Sequence, residues 1–191
     1  MELRKVEKSD DERLFEELCF CILTANTSAE MGMKSIDIIR PLLREGSAEE
    51  MKRLLEGIYR FKTVRPQYII ETRNFLQQHH SFNIKKIIEN DKKNPVILRD
   101  FFAQKDIKGI SYKEASHFLR NIGISGYAIL DKHVLYSLLN LRIIDDVPKS
   151  LNREQYLEIE KKLIGFSNEM GIPMDELDLL LWSMRTGKIL K

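Results

Sequence analysis

Apolar residues recur at helical spacing along nearly the whole chain. Two clear stripes consist of Leu14, Phe15, Leu18 and Ile22, and of Ala115, Phe118, Leu119 and Ile122. Spacings of three and four residues place side chains on one face of a helix. No series shows the period of two that marks a strand, so the pattern predicts an all-α fold.

Seven further segments have helical character and are punctuated by Pro, Gly or capping residues. They read GMKSIDIIRPLLREG, SAEEMKRLLEGI, RPQYIIETRNFLQQHH, NPVILRDFFAQ, DKHVLYSLLNL, NREQYLEIEKKLIGFSNEMG and PMDELDLLLWSMRTG. No repeat, low-complexity stretch or Gly/Ser-rich linker separates them. We therefore expect residues 1–191 to form a single helical unit of two lobes with a cleft between them, and Pro148 to mark a crossover between the lobes.

Composition is that of a globular protein. The chain has 191 residues, of which 43% are hydrophobic, enough to fill a core. Its longest apolar runs, LCFCIL and LDLLLW, are far shorter than the roughly 20 residues that a membrane span requires. No charged-then-apolar signal segment opens the chain. We expect a cytoplasmic protein without membrane contact.

Few side chains are suited to holding a metal. Cys19 and Cys21 lie two residues apart in an apolar helical run, where they point to different sides, so we predict reduced core residues. Without further cysteines, an iron–sulfur cluster or a Cys-ligated zinc is excluded. The four histidines show no metal-ligand spacing, and we expect neither a metal nor a cofactor. The net charge of +2 neither requires nor excludes nucleic acid as a partner.

The stretch IKGIS predicts a tight turn between two helices. Gly109 permits the turn, and Ser111 can cap a helix that starts at Tyr112 or Lys113. The backbone N–H groups of such a hairpin can bind a DNA phosphate without regard to sequence. The alternative is a plain turn between helices.

Lys113 and Asp131 lie at two successive predicted helix starts. The helix dipole mildly disfavours a cation at the position of Lys113, and together with partial desolvation it favours the neutral amine that nucleophilic catalysis requires. Asp131 precedes KHVLYSLL, so its simplest role is a helix N-cap. A second hypothesis is that this carboxylate faces Lys113 across a cleft and stabilises positive charge on a substrate.

The segments IKGISYKEAS and AILDKHVL, within about residues 98–140, resemble the helix-hairpin-helix and Gly/Pro-Asp loop of DNA base-excision glycosylases. From Leu14 to its ending LDLLLWSMRTGKILK, the chain is similar to the second, archaeal and bacterial, subfamily of 8-oxoguanine DNA glycosylase/lyases. The resemblance implies a bifunctional repair enzyme that excises 8-oxoguanine from double-stranded DNA and then cleaves the strand. It further implies a monomer, associated with the nucleoid when it acts.

The resemblance also implies roles for residues near the hairpin. Lys113 would be the nucleophile and Asp131 the catalytic carboxylate. Gly109 and the neighbouring backbone at Ser111 would hold phosphate, and His133 matches a second phosphate-contacting position. The superfamily usually has a second Gly at the position of Ser111. A Ser there would restrict the backbone conformation of the turn. An alkali ion on the hairpin carbonyls is left open by the resemblance.

Further roles follow for residues outside the hairpin. Asn26 would fill the gap left by an extruded base, although it could equally be a helix-terminating Asn. Trp182 and the final Lys191 match residues that engage the damaged base, and Asp178 is a further candidate. On a helical projection, Asp178, Trp182 and Arg185 lie opposite an apolar stripe of Leu177, Leu180, Leu181 and Met184.

Two other functions agree with part of this pattern. A related glycosylase could act on another damaged base, such as an oxidised pyrimidine. A non-catalytic helix-hairpin-helix module would explain Gly109 and the basic residues but would leave the pair Lys113 and Asp131 without a function.

Overall fold

The structure, a computed structural model, describes residues 10–187. Within that range it contains ten α-helices and no strand, which confirms the predicted all-α fold. The helices are α1 (Asp11–Thr24), α2 (Ala29–Ile39), α3 (Ala48–Leu54), α4 (Val64–His80), α5 (Ile84–Asp91), α6 (Pro95–Phe102), α7 (Tyr112–Asn121), α8 (Lys132–Asn140), α9 (Arg153–Met170) and α10 (Met174–Thr186). None of these helices is long and apolar enough to cross a membrane.

The helices divide into two compact units. The first ends at Gly123 and contains α1 to α7, and the second begins at Ile124 and contains α8 to α10. The prediction that Pro148 marks the crossover was therefore wrong. Its segment joins α8 to α9 inside the second unit, where α10 packs against both helices.

The core of the first unit is built around α1. This helix packs against α2, α4, α5 and α7, and the stripe from Leu14 to Ile22 is fully buried. Cys19 and Cys21 are buried free thiols, as predicted. Burial raises the pKa of both thiols well above the usual value, so both remain protonated at neutral pH.

Helix α5 is the element that the sequence patterns missed. Its buried residues Ile84, Ile87 and Ile88 follow helical spacing, and the Asn83 side chain accepts a hydrogen bond from the Lys86 N–H at 2.9 Å. A capping residue followed by such a stripe is an ordinary helix signal. The segment is short, and its apolar face becomes evident only in contact with α1, α4 and α6.

The aromatic contact between α6 and α7 should contribute strongly to stability. Phe118 is 0% exposed, and its ring centroid lies 4.7 Å from that of Phe102. We expect Phe118→Ala to lower the free energy of unfolding by about 3–5 kcal/mol in urea denaturation, because it leaves a cavity. Ile97→Ala on α6, where Ile97 is 49% exposed, should cost less than about 1 kcal/mol. Equal losses would contradict this placement of the core.

Candidate functional site

The predicted hairpin is present between α6 and α7. Gly109 has a left-handed backbone conformation, with φ of +77°. A Cβ at this position would lie 2.7 Å from Tyr68 Cδ2 and 2.8 Å from Arg65 Nη1, so the turn needs both the conformational freedom and the small size of Gly.

The hairpin is anchored on α4. The Lys108 N–H donates to Thr72 Oγ1 of α4 at 2.9 Å, whereas the buried Arg65 of α4 donates to the Ala25 carbonyl at the end of α1, at 3.1 Å. A groove beside the hairpin is lined in part by the aromatic rings of Phe61 and Tyr68 and by the cationic side chains of Arg65 and Lys108. The Glu71 carboxylate also lines this groove, so the surface combines aromatic faces with two cations and one anion.

Ser111 is the N-cap of α7, as predicted, and takes part in a capping box with Glu114. The buried Glu114 carboxylate accepts hydrogen bonds from the Ser111 N–H at 3.2 Å and from the Ser111 hydroxyl. The donors of Ser111 are therefore engaged inside the protein. A phosphate bound through Ser111 would have to compete with a carboxylate for the same N–H.

Lys113 is the second residue of α7, and its side chain is 32% exposed. Its Nζ lies 2.7 Å from Glu114 Oε1. Burial opposes ionisation of Glu114, but the charge and hydrogen bond of Lys113 and the hydrogen bond of Ser111 outweigh it, so the pKa of Glu114 is lowered. Glu114 is therefore a carboxylate that contacts the amine of a partly exposed lysine side chain.

His117 lies one turn after Lys113 and was not singled out from the sequence. Burial, with the positive charges of Lys113 and Arg120, lowers the pKa of His117 to about 4, so the imidazole is neutral at physiological pH. The signal that could have found it is the spacing of four residues from Lys113. Within residues 10–187, no group of three or more His, Cys, Asp or Glu side chains could hold a metal ion.

Asp131 is the N-cap of α8, which confirms the simpler of its two predicted roles. Its Oδ1 accepts from the Val134 N–H at 2.8 Å. Asp131 belongs to the second unit, whereas Lys113 belongs to the first.

The irregular segment before Asp131 is held by side chains of α9 and α10. Four of its backbone N–H groups donate to side-chain oxygens: Gly126 to Asp175 at 3.1 Å, Ala128 to Glu160 at 2.9 Å, Ile129 to Asp178 at 2.8 Å and Leu130 to the Tyr156 hydroxyl at 3.2 Å. The Tyr156 hydroxyl also donates to the Ala128 carbonyl at 2.7 Å. These acceptors replace the backbone partners that a helix or a sheet would provide.

The predicted placement of Asp178 on a polar face was wrong. Asp178 is 3% exposed, whereas Leu180 and Met184 of the predicted apolar stripe are 44% and 74% exposed. The buried residues of α10 are Met174, Leu177, Asp178 and Leu181. The carboxylate is inside because the Ile129 N–H binds it there.

His133 and Trp182 lie together in the second unit. Both are half-buried, and their rings meet edge to face with centroids 6.5 Å apart. His133 is the second residue of α8, close to Asp131 in the chain. Lys191 lies outside the described residues.

Asn26 follows the end of α1 and is exposed. Its φ of 62° is left-handed, the conformation with which Asn commonly terminates a helix. The backbone therefore fits the helix-terminating interpretation, and the side chain is free of the core.

A family model described as 8-oxoguanine DNA glycosylase matches residues 1–172. The chain belongs to the 8-oxoguanine DNA glycosylase family. It is 44% identical over 194 residues to the 8-oxoguanine DNA glycosylase/AP lyase of Methanocaldococcus jannaschii, covering 100% of this chain and 88% of that protein. The enzyme of the same name from Fusobacterium nucleatum is 40% identical, with 97% and 85% covered.

Solved structures of this glycosylase family have the same fold. The crystal structure of the Methanocaldococcus jannaschii 8-oxoguanine glycosylase/lyase in complex with a 15mer DNA containing 8-oxoguanine matches with a TM-score of 0.87 and 41% identity, covering 99% of this chain and 88% of that one. That of the Thermotoga maritima 8-oxoguanine DNA glycosylase matches with a TM-score of 0.84 and 35% identity, covering 97% and 86%. The resemblance inferred from the sequence is confirmed.

Replacing Gly109 should reveal how closely the hairpin approaches α4. Gly109→Ala puts a Cβ on a residue whose backbone is left-handed, and this Cβ forces Tyr68 or Arg65 to move. Gly57→Ala, with φ of +70° and nothing within 4 Å of the new Cβ, carries only the backbone cost. We expect Gly109→Ala to lose about 1–3 kcal/mol more than Gly57→Ala in urea denaturation. The same loss in both variants would show that the hairpin is not packed as described.

Removing the Asp178 carboxylate should expose its role in the segment before Asp131. Asp178→Ala leaves the Ile129 N–H without this acceptor, at a cost of about 1–3 kcal/mol in the free energy of unfolding. Asp178→Asn retains an acceptor oxygen and should lose less. Urea denaturation of both variants checks this, and an Ala variant as stable as the parent chain would refute the contact.

Proposed function

We propose that this chain is a bifunctional 8-oxoguanine DNA glycosylase and AP lyase. Its full-length similarity to proteins of that name supports the activity, and the relative solved with DNA containing 8-oxoguanine supports the substrate. The observation that carries the mechanism is the position of Lys113. Its partly exposed side chain lies in the first turn of the helix that follows the hairpin.

The hairpin is proposed to hold a phosphate of double-stranded DNA. Backbone around Gly109, with Lys108 and Arg65 in the adjacent groove, provides positive charge without reading bases. His133, near the start of α8, is proposed as a second phosphate contact. Asn26, exposed after α1, is proposed to fill the space of the extruded nucleotide, which offsets part of the few kcal/mol that extrusion costs.

Excision begins with attack of Lys113 on the sugar. The neutral amine forms a bond to C1′ while the glycosidic bond breaks and its electron pair leaves with the base, which takes up a proton. Asp131 is proposed to stabilise the positive charge that develops on the sugar. Opening of the sugar ring then gives a Schiff base between Lys113 and C1′.

Strand cleavage follows from the same intermediate. The iminium acidifies the adjacent C2′–H, and loss of that proton expels the 3′ phosphate oxygen in a β-elimination. Lys113 therefore serves both halves of the activity. The steps use side chains alone, without a metal or a redox cofactor.

Recognition of the base is assigned to the end of the chain. Trp182 is half-buried and can stack on an extruded base. 8-Oxoguanine differs from guanine by an N7–H donor and a C8 oxygen, and the Lys191 side chain is proposed to bring an ammonium to the altered base. Asp178 is buried and is assigned to support of the Ile129 backbone instead. We propose a monomer that acts in the cytoplasm on nucleoid DNA.

A panel of duplexes with one lesion each tests the substrate. Free base released from 8-oxoguanine, but not from unmodified guanine or oxidised pyrimidines, is the expected result. Preferred release of an oxidised pyrimidine would assign a different glycosylase activity. No base release by folded protein that binds DNA would indicate a non-catalytic binding module.

Separate variants should divide catalysis from binding. Lys113→Gln should reduce single-turnover strand cleavage by on the order of 10³-fold or more, because the nucleophile is lost, while DNA affinity changes little. Lys108→Gln should weaken affinity, with a smaller salt dependence, yet cleave normally at saturating protein. Comparable loss of affinity and cleavage in Lys113→Gln would contradict this division.

A further inference from the structure

Glu114 is a buried carboxylate that the proposed chemistry leaves without a function. One oxygen, Oε2, accepts from the Ser111 N–H and hydroxyl, and the other, Oε1, lies 2.7 Å from Lys113 Nζ. The carboxylate therefore connects the hairpin to the amine. A helix cap alone would need only the contact with Ser111.

The contact with Lys113 differs from an ordinary surface ion pair. Side chains of consecutive helical residues do not face each other, and stabilising pairs normally lie three or four residues apart. The Lys113 side chain bends toward its neighbour, whose carboxylate is buried and fixed by Ser111. Such a partner defines one position for Nζ.

We propose that Glu114 is a positioning residue that holds the Lys113 amine in place and in its protonated form until the reaction begins. This role deepens the proposed function and depends on Lys113 being the nucleophile. An opposite charge at hydrogen-bond distance favours the ammonium, whereas attack on C1′ needs the neutral amine. The N–H bond must therefore break, with its electron pair left on nitrogen and the proton passed to water, which the exposed part of the side chain can reach.

The other ionisable groups around this pair lie on three helices. They are His117 and Arg120 on α7, Glu17 and Cys21 on α1, and Arg99 on α6, whose guanidinium lies 5.0 Å from the Tyr112 ring centroid. The pKa of His117 is about 4, and burial raises the pKa of Cys21 well above its usual value. Arginine remains charged throughout. A change in pH dependence at neutral to alkaline pH therefore reports on Lys113 and Glu114.

The test is the pH profile of single-turnover cleavage of an 8-oxoguanine duplex at saturating protein, from roughly pH 6 to 10.5, a range that extends to the ordinary lysine pKa of about 10.4. In Glu114→Gln, the pH of half-maximal rate should fall by about one unit, because the amine loses its proton more easily. The maximal rate should fall about tenfold, because the amine is no longer held. Glu114→Asp keeps the charge on a shorter side chain, so it should shift the profile in the same direction by a smaller amount. If Glu114→Gln does not fold, Glu114→Asp is the variant that tests the proposal.

Glu17→Gln is the matched control. It also removes a buried carboxylate, but one that accepts from the Asn121 amide at 2.7 Å, and it should shift the profile less than Glu114→Gln does. An unshifted profile, or a shift to higher pH, in the folded Glu114 variants would overturn the proposal. Failure of the proposed function is distinguishable, because the parent chain would then form no borohydride-trapped adduct with the duplex at any pH.

Discussion

Buried carboxylates must find hydrogen-bond donors, and in this chain several find them in irregular backbone next to the proposed catalytic residues. Glu114 binds Ser111 at the end of the hairpin, and Glu160 and Asp178 bind Ala128 and Ile129 before Asp131. Each contact satisfies a backbone N–H that has no helical partner. The position of Lys113 therefore depends on its neighbour Glu114, and that of Asp131 on side chains of α9 and α10 in the same unit.

Local features of the site could be predicted because they depend on neighbours in the chain. The turn at Gly109 and the cap at Ser111 follow from a few adjacent residues, and the structure confirms both. The cap at Asp131 was predicted in the same way, from a carboxylate directly before an apolar helical pattern. Family resemblance then added roles for these residues that geometry alone does not assign.

Features that depend on distant contacts were not predictable. Two stripes on α10 share the spacing of a buried face, and the observed one contains Asp178, whose partner Ile129 is 49 residues away. Hydrophobicity favoured the other stripe, with Leu180 and Met184, which are exposed. The boundary between the two units after Gly123 was likewise not predictable, because Pro148 is the stronger local signal for the end of a helical segment.

Identifying the atom that joins the protein to DNA is the most direct test of the central claim. The chain would be incubated with an 8-oxoguanine duplex and borohydride, the adduct digested with protease and nuclease, and the modified peptide sequenced by mass spectrometry. A reduced sugar remnant on Lys113, in the peptide that includes SYKEASHF, is the expected result. The remnant on any other amine of the folded chain would contradict the assignment of Lys113 as the nucleophile.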